Sequence, residues 1–198
     1  MLVLASTSRY RRELLGRLGV DFEALAPDFD EAAEEPHFAV LGPEAFARRL
    51  ARGKARSLVA ARPDALILGA DQIAVIDGEL LHKPGTEDAA IDQLMRLRGR
   101  THQLITGVAL VDAATGALEE VVDHQRLTMR RYSRAEVEGY VRSARPLDCV
   151  GSYRIEDAGI RLFAAIEGVD YTGIIGLPLI AVGRLLRARG LIAGDEPV

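Results

Sequence analysis

The chain has 198 residues, 48% hydrophobic and 27% charged, ordinary proportions for a soluble globular protein of one good-sized or two-lobed domain. Lys and Arg number 25 against 29 Asp and Glu, a net charge of −4 that disfavours a dedicated nucleic-acid binder. It leaves room for a local basic cluster that holds a small anion. The single cysteine, Cys149, excludes an intrachain disulfide and a multi-cysteine zinc site. The best apolar run, Ile174 to Gly183, is short and broken by Pro178, so no transmembrane span is expected. The opening MLVLAST lacks the charged region and longer apolar core of a signal peptide, and a soluble cytoplasmic protein is expected.

No stretch is of low complexity, and no repeat recurs at a fixed period. Leu2–Ala5 is an apolar run fit for a buried strand. Arg9–Leu18 reads as a helix, with Ser6 or Ser8 as its cap and Gly19 as its stop. Phe22–Leu25 is a second strand, and Glu44–Ala61 a longer helix entered through Pro43 and closed before Pro63. Ala65–Ala70 is a further apolar strand ending at Asp71. Ile73–Ile76 and Glu79–Leu81 flank Asp77-Gly78, a type I′ hairpin signal. Glu87–Arg98 is helical and stops at Gly99. His102–Val111 and Leu118–Arg130 read as long strands, and Ser133 to Glu136 forms a capping box before a helix to Ser143. Arg161–Ile166 reads as a strand, and Leu179–Arg189 as a final helix behind Pro178. Strands alternating with helices, with hairpins among them, predict a mixed α/β sheet with a two-lobed outline and no linker between independent domains.

The first region that carries chemistry is Ser6-Thr7-Ser8-Arg9-Tyr10-Arg11-Arg12, which follows a strand and opens a helix. Amide N–H groups at a helix start attract anions, and hydroxyl and guanidinium groups beside them can complete a phosphate site. The plainer alternative is a capped helix with a solvated basic first turn. Helical geometry speaks against that for Arg11, which points the same way as Leu14, Leu15 and Leu18 and so needs a phosphate or carboxylate partner. Arg12 points away from Arg11 and ranks second. No P-loop motif exists anywhere in the chain.

Asp71, after an apolar strand, is read two ways: a carboxylate at the strand end where α/β proteins bind ligands, or a turn aspartate capping the next segment. Glu31, with Asp28 and Asp30, lies in a loop-like acidic segment; two carboxylates meeting around a polyphosphate would suit Mg²⁺ or Mn²⁺, whereas the acidic loop alone would simply be solvated. Lys54 and Lys83 are the only lysines in an arginine-rich chain, which suggests a compact point charge as used at phosphates. His37, His82, His102 and His124 show no metal-binding spacing, and no G-x-S-x-G elbow marks a serine hydrolase. Cys149 is expected to be a small buried residue rather than a nucleophile.

Taken in order, LASTSRYRRELL, APDFDE, LARGKA, GADQ, HKP, TGVAL, CVGSYRIEDAG and GLPL resemble the signature blocks of the Maf family, nucleotide pyrophosphatases also described as septum-formation inhibitors. The resemblance runs from Leu4 to about Gly190 and implies a mixed, twisted central sheet flanked by helices, two lobes with a cleft between them (Maf/ITPase-like). It implies that Ser6, Ser8 and Arg11 hold the triphosphate, with Lys54 and Lys83 also on phosphate. It places a metal-linked glutamate at Glu31 and the general base, also a metal contact, at Asp71. A divalent cation, Mg²⁺ or Mn²⁺, is the implied cofactor, and family members are often homodimers. The family usually has proline where this chain has Arg9, a departure that bears on the loop's geometry rather than on the chemistry.

Tyr10, Gln72 and Glu156 resemble the family branch that acts on 7-methyl-GTP, which has an aromatic residue, glutamine and glutamate there; tryptophan is the common aromatic. The branch acting on dTTP and UTP has arginine, threonine and glutamine instead. N7-methylation makes guanine cationic, so a tyrosine face adds a cation–π contribution of roughly 0.5–2 kcal/mol. A carboxylate at Glu156 could accept from guanine N1–H and its amino group. Without the resemblance, Tyr10 reads as an exposed first-turn aromatic and Glu156 as a solvated loop acid. The expectation is hydrolysis of a nucleoside triphosphate between its α- and β-phosphates. The rival readings are a dTTP/UTP pyrophosphatase and a non-catalytic nucleotide-binding regulator of cell division.

Overall fold

Strand β1 (Leu2–Ala5) is buried along its whole length. It pairs in parallel with β2 (Phe22–Leu25) on one side and β3 (Leu66–Ile76) on the other. A strand covered on both faces needs no polar alternation, which is why LVLA reads as a continuous apolar run. The computed structural model describes residues 1–194. Within them a seven-stranded mixed sheet has the order β2-β1-β3-β5-β6-β7, and the short β4 (Glu79–Leu81) pairs with β3. Strands β5 (Thr101–Asp112) and β6 (Leu118–Met129) are long, and β7 (Phe163–Gly168) is antiparallel to β6. The expected α/β class, with parallel and antiparallel pairs in one sheet, is what forms.

The chain resolves into two compact units. The first holds Met1–Gln72, Thr106–Asp123 and the chain from Asp170 onward. One face of its strands carries Leu2, Leu4, Leu68, Ala70, Val108 and Leu110, packed against Leu14 and Leu15 of α1 (Arg9–Gly16) and Val182, Leu185 and Leu186 of α7 (Leu179–Ala188). The opposite face carries Val3, Ala5, Ile67, Ala109 and Val111, packed against Ala51 and Ala55 of α3 (Phe38–Arg56). The period of two along each strand sorts the residues between these two layers.

Helix α3 is interrupted at Gly42 (φ 73°, ψ 171°), so its main run starts at Pro43 as the sequence predicts. Its alanines at 47, 51 and 55 recur every four residues and form a stripe of small side chains. Opposite them stand Gly69 of β3 and Gly107 of β5, where a Cβ would collide with the α3 backbone at Ala51 and Ala47. Helix and sheet therefore lie closer than ordinary side chains allow.

The second unit comprises Ile73–Ile105 and His124–Val169. Asp77 (φ 54°) and Gly78 (φ 79°) both take positive φ, the type I′ turn expected of Asp-Gly. Thr86 caps α4 (Glu87–Leu97), and Ser133 with Glu136 forms the expected capping box of α5 (Arg134–Ala144). Two polar contacts lie in this core: Tyr132 Oη donates to the Leu94 carbonyl at 2.7 Å, and His102 Nε2 lies 2.7 Å from Tyr153 Oη.

Several boundaries differ from the sequence reading, each for a local reason. The strands expected at Ala65–Ala70 and Ile73–Ile76 are one strand, so Asp71 sits in mid-strand rather than at a strand end. Asp71 and Gln72 both find partners, so their polarity does not terminate it. The acidic segment at Glu31 is not a loop: Asp30 accepts from the amides of Ala32 and Ala33 and starts α2 (Glu31–Glu34). Residues 158–162 form a 3₁₀ turn, which delays β7 to Phe163. The helix expected to run to Ala61 ends at Arg56 and continues as turns. A short helix, α6 (Thr172–Ile175), precedes Pro178 where none was expected.

Candidate active site

The first unit gathers four of the expected site residues around one ion pair. Lys54, on the last turn of α3, is ion-paired with Asp71 Oδ1. The same ammonium lies 2.7 Å from Glu31 Oε1, so it bridges the two carboxylates. Arg11 Nη2 stands 3.8 Å from Asp71 Oδ1, and its Nε donates to the Gly176 carbonyl at 3.0 Å. The Lys54 and Asp71 side chains are 6% and 9% exposed, whereas Glu31 is 54% exposed. A lysine so deeply buried requires a carboxylate, and Glu31 supplies a second one from the solvent side.

The close approach of α3 explains the contact. Asp71 is two residues beyond Gly69 and on the same face of β3, while Lys54 is the helix neighbour of Ala55, whose amide nitrogen a Cβ at Gly69 would approach to 2.8 Å. A wider spacing would part the two charges and leave Lys54 to Glu31 and Asp71 to Arg11.

Ser8 is the N-cap of α1 and its side chain accepts from the Arg11 amide at 3.4 Å; Ser6 Oγ accepts from the Ser8 amide at 3.1 Å. Of the two caps considered, Ser8 is the one used, and Ser6 orders the turn before it. The two serines thus set the start of the helix that carries Arg11. The plainer reading of a solvated first turn fails for Arg11, which is paired, and holds for Arg12, which is exposed.

Gln72 projects from the other face of β3. Its Nε2 donates to the Gly173 carbonyl at 2.6 Å and to Thr106 Oγ1 at 3.0 Å. Tyr10 is half-buried on the first turn of α1, and the Arg9 guanidinium lies 4.6 Å from its ring centroid while Arg9 Nη2 donates to Tyr10 Oη at 2.8 Å. Lys83 and Glu156 belong to the second unit, Lys83 exposed before Pro84 and Glu156 exposed in a turn. The structure thus brings Arg11, Glu31, Lys54 and Asp71 into one constellation within the first unit, with Ser6 and Ser8 at the start of the helix that carries Arg11.

Thr106, Gly173 and Gly176 contact these residues and escaped the sequence reading. The available signals were TGVAL, which opens on Thr106, and GLPL, whose glycine, Gly176, takes a φ of +120° and aims its carbonyl at Arg11. Cys149 is half-buried rather than buried as expected, and burial pushes its thiol up to about 11, which disfavours the thiolate. Among the described residues no helix is long and apolar enough to cross a membrane.

Two carboxylates spanned by one ammonium offer oxygen donors that suit a hard divalent cation, and such ions often take one or two carboxylates with the rest from substrate phosphate and water. The Lys54 ammonium already stands between those donors, so a positive charge is compatible with this spot. Among the described residues no group of three or more His, Cys, Asp or Glu gathers, so a cation here would rely on Glu31 and Asp71.

Cations and carboxylates assembled where a strand meets a helix start are the general build of an anion-handling α/β protein. The Maf-like protein family model matches residues 1–189, and the chain belongs to that family. It is 47% identical over 191 residues to a 7-methyl-GTP pyrophosphatase of Aromatoleum aromaticum, covering 96% of each chain. It is 44% identical over 190 residues to a protein of the same name from Bdellovibrio bacteriovorus, covering 96% of this chain and 97% of the relative. A third, from Albidiferax ferrireducens, is 42% identical over 190 residues, covering 96% and 94%.

Proposed function

We propose that the protein is a nucleoside triphosphate pyrophosphatase that prefers 7-methyl-GTP and releases the monophosphate and pyrophosphate. The observation that carries the reaction type is the buried Lys54–Asp71 pair, flanked by Arg11 and Glu31. Simple nucleotide binding needs cations; it does not need a carboxylate buried among them. The shared name of relatives that align over nearly the whole chain supports the choice of substrate.

In this reading water adds across the α–β anhydride, and the Pα–O bond to the leaving pyrophosphate breaks. Asp71 orients the water and takes its proton at a carboxylate oxygen. Arg11 and Lys54 offset the charge that grows on the leaving pyrophosphate. Ser6 and Ser8 hold the helix start that presents amide N–H groups to phosphate. Glu31 and Asp71 would hold a divalent cation, which when bound supplies positive charge against the phosphate oxygens. Lys83 keeps the phosphate role that the family resemblance implies.

Base choice is assigned to Tyr10, Gln72 and Glu156. The tyrosine face favours a cationic 7-methylguanine over neutral bases, and Glu156 accepts from a donor pair that pyrimidines lack. The test is a panel of 7-methyl-GTP, GTP, dTTP and UTP with Mg²⁺ or Mn²⁺, against a metal-free control, read as pyrophosphate release. The highest kcat/KM is expected for 7-methyl-GTP, eroded by combining Tyr10→Arg with Glu156→Gln. Equal kcat/KM for 7-methyl-GTP and dTTP would remove the assignment.

A further inference from the structure

Helix α7 starts behind Pro178, whose side chain makes no capping hydrogen bond. Its first amides are satisfied by an outside source. Leu179 N–H donates to Thr172 Oγ1 at 2.8 Å, and Ile180 N–H to Asp170 Oδ2 at 2.7 Å. The second carboxylate oxygen, Asp170 Oδ1, accepts from the Thr172 amide at 2.9 Å and the Thr172 hydroxyl at 2.6 Å. Asp170 is 4% exposed, and a carboxylate at a helix N-terminus is favoured by the helix dipole. One buried side chain therefore ties α6 to α7 and closes residues 170–180 into a fixed loop.

That loop presents two carbonyls to the candidate site. Gly173 O receives Gln72 Nε2, and Gly176 O receives Arg11 Nε. The Leu177 amide, which shares its peptide plane with the Gly176 carbonyl, donates to the Thr172 carbonyl at 3.3 Å, so the orientation of this acceptor follows from Thr172. We propose that Asp170 is a positioning residue: through Thr172 it sets the Gly173 and Gly176 carbonyls, and so holds Arg11 and Gln72 in place. This rests on the phosphate role given to Arg11 above. Arginine has many rotamers, and one fixed at Nε binds phosphate without first losing that freedom.

Thr172→Val deletes the hydroxyl that joins Asp170 to Leu179, whereas Thr172→Ser keeps it; Asp170→Asn alters the carboxylate itself. Each variant is measured for kcat and KM on 7-methyl-GTP, for pyrophosphate affinity by calorimetry, and for melting temperature. Thr172→Val and Asp170→Asn are expected to raise KM and weaken pyrophosphate binding together by about ten-fold, with kcat held within about three-fold, and Thr172→Ser to stay near the unmutated values. If Asp170→Asn does not fold, the two threonine variants decide. A lowered melting temperature with unchanged KM and pyrophosphate affinity in Thr172→Val makes the network a helix cap only and overturns the proposal. Equal impairment of Thr172→Ser and Thr172→Val overturns it too. Arg11→Gln is run alongside: if it leaves KM and pyrophosphate affinity unchanged, the phosphate role of Arg11 is what fails.

Discussion

Gly69 of β3 faces the backbone of Ala51 in α3 so closely that a Cβ on the glycine would enter the space of the Ala51 carbonyl oxygen and stand 2.8 Å from the Ala55 amide nitrogen. Backbone atoms cannot swing aside as a side chain can. Gly69→Ala must push α3 away from the strand, and with it Lys54 away from Asp71. We expect a loss of about 1–3 kcal/mol in stability. Turnover should fall by more than the unfolded fraction explains, measured by urea denaturation beside pyrophosphate release. Wild-type turnover in a folded Gly69→Ala protein would show that the spacing of helix and strand is immaterial to the site.

Asp71→Asn keeps the size of the side chain and removes its charge. Lys54 retains Glu31 as a partner, so the fold is expected to survive. Loss of a general base lowers the rate by about 10²–10⁴-fold. Circular dichroism would report the fold and single-turnover kinetics the chemistry; near-wild-type rates would take Asp71 out of the reaction.

Lys54→Met tests the pair from the other side. It leaves the Asp71 carboxylate buried with Arg11 at 3.8 Å as its remaining ion pair in the described residues. Removing one member of a buried pair destabilises by about 3–5 kcal/mol. Lys54→Met should therefore be the less stable of the two single variants, and equal denaturation midpoints would contradict that order.

Burial pushes His102 down from 6.5 to about 4. Between those pH values the unfolded chain binds a proton that the folded one does not, so stability falls as pH drops from 6.5 towards 4. The full effect is about 3 kcal/mol. His102→Gln should flatten this part of the stability–pH curve while keeping a polar partner for Tyr153. An unchanged slope would mean that other groups govern acid unfolding.

The Arg9 guanidinium lies over one face of the Tyr10 ring, 4.6 Å from its centroid. A base that takes this face must displace the guanidinium, at a common cost for every nucleotide. Arg9→Gln is expected to lower KM by about two- to five-fold for all substrates and leave their ratio unchanged. Arg12→Gln, which removes the same charge from an exposed position, controls for loss of long-range attraction. A higher KM in Arg9→Gln than in this control would mean that Arg9 binds the nucleotide directly.

Elements governed by local rules were legible in the sequence. Leu2–Ala5, Phe22–Leu25, the Asp77-Gly78 turn and the Ser133 capping box follow from burial period, positive φ or reciprocal capping, and each forms where expected. Elements set by distant partners were not. The strand through Asp71 continues because Lys54 and Thr106, 17 and 34 residues away from their partners, satisfy its polar side chains. Glu31 looked like loop because a four-residue helix carries too little periodicity to be seen. In the site, the azimuth of Arg11 announced that it needed a partner. That the partners would be Asp71 and a glycine carbonyl 165 residues away was beyond any local pattern.

Asp71 and Gln72 are consecutive residues of one strand, yet each hangs on its own side of the sheet, Asp71 towards α3 and Gln72 towards α6. The pleat acts as a partition: a substitution at one position is screened by the backbone from the other's neighbours. Under the roles proposed here, a lineage can drift towards a different nucleobase by changing the residue at 72 while the hydrolytic carboxylate next to it keeps every contact it had. Diversity of substrate over a constant reaction is thus written into the alternation of a single β-strand.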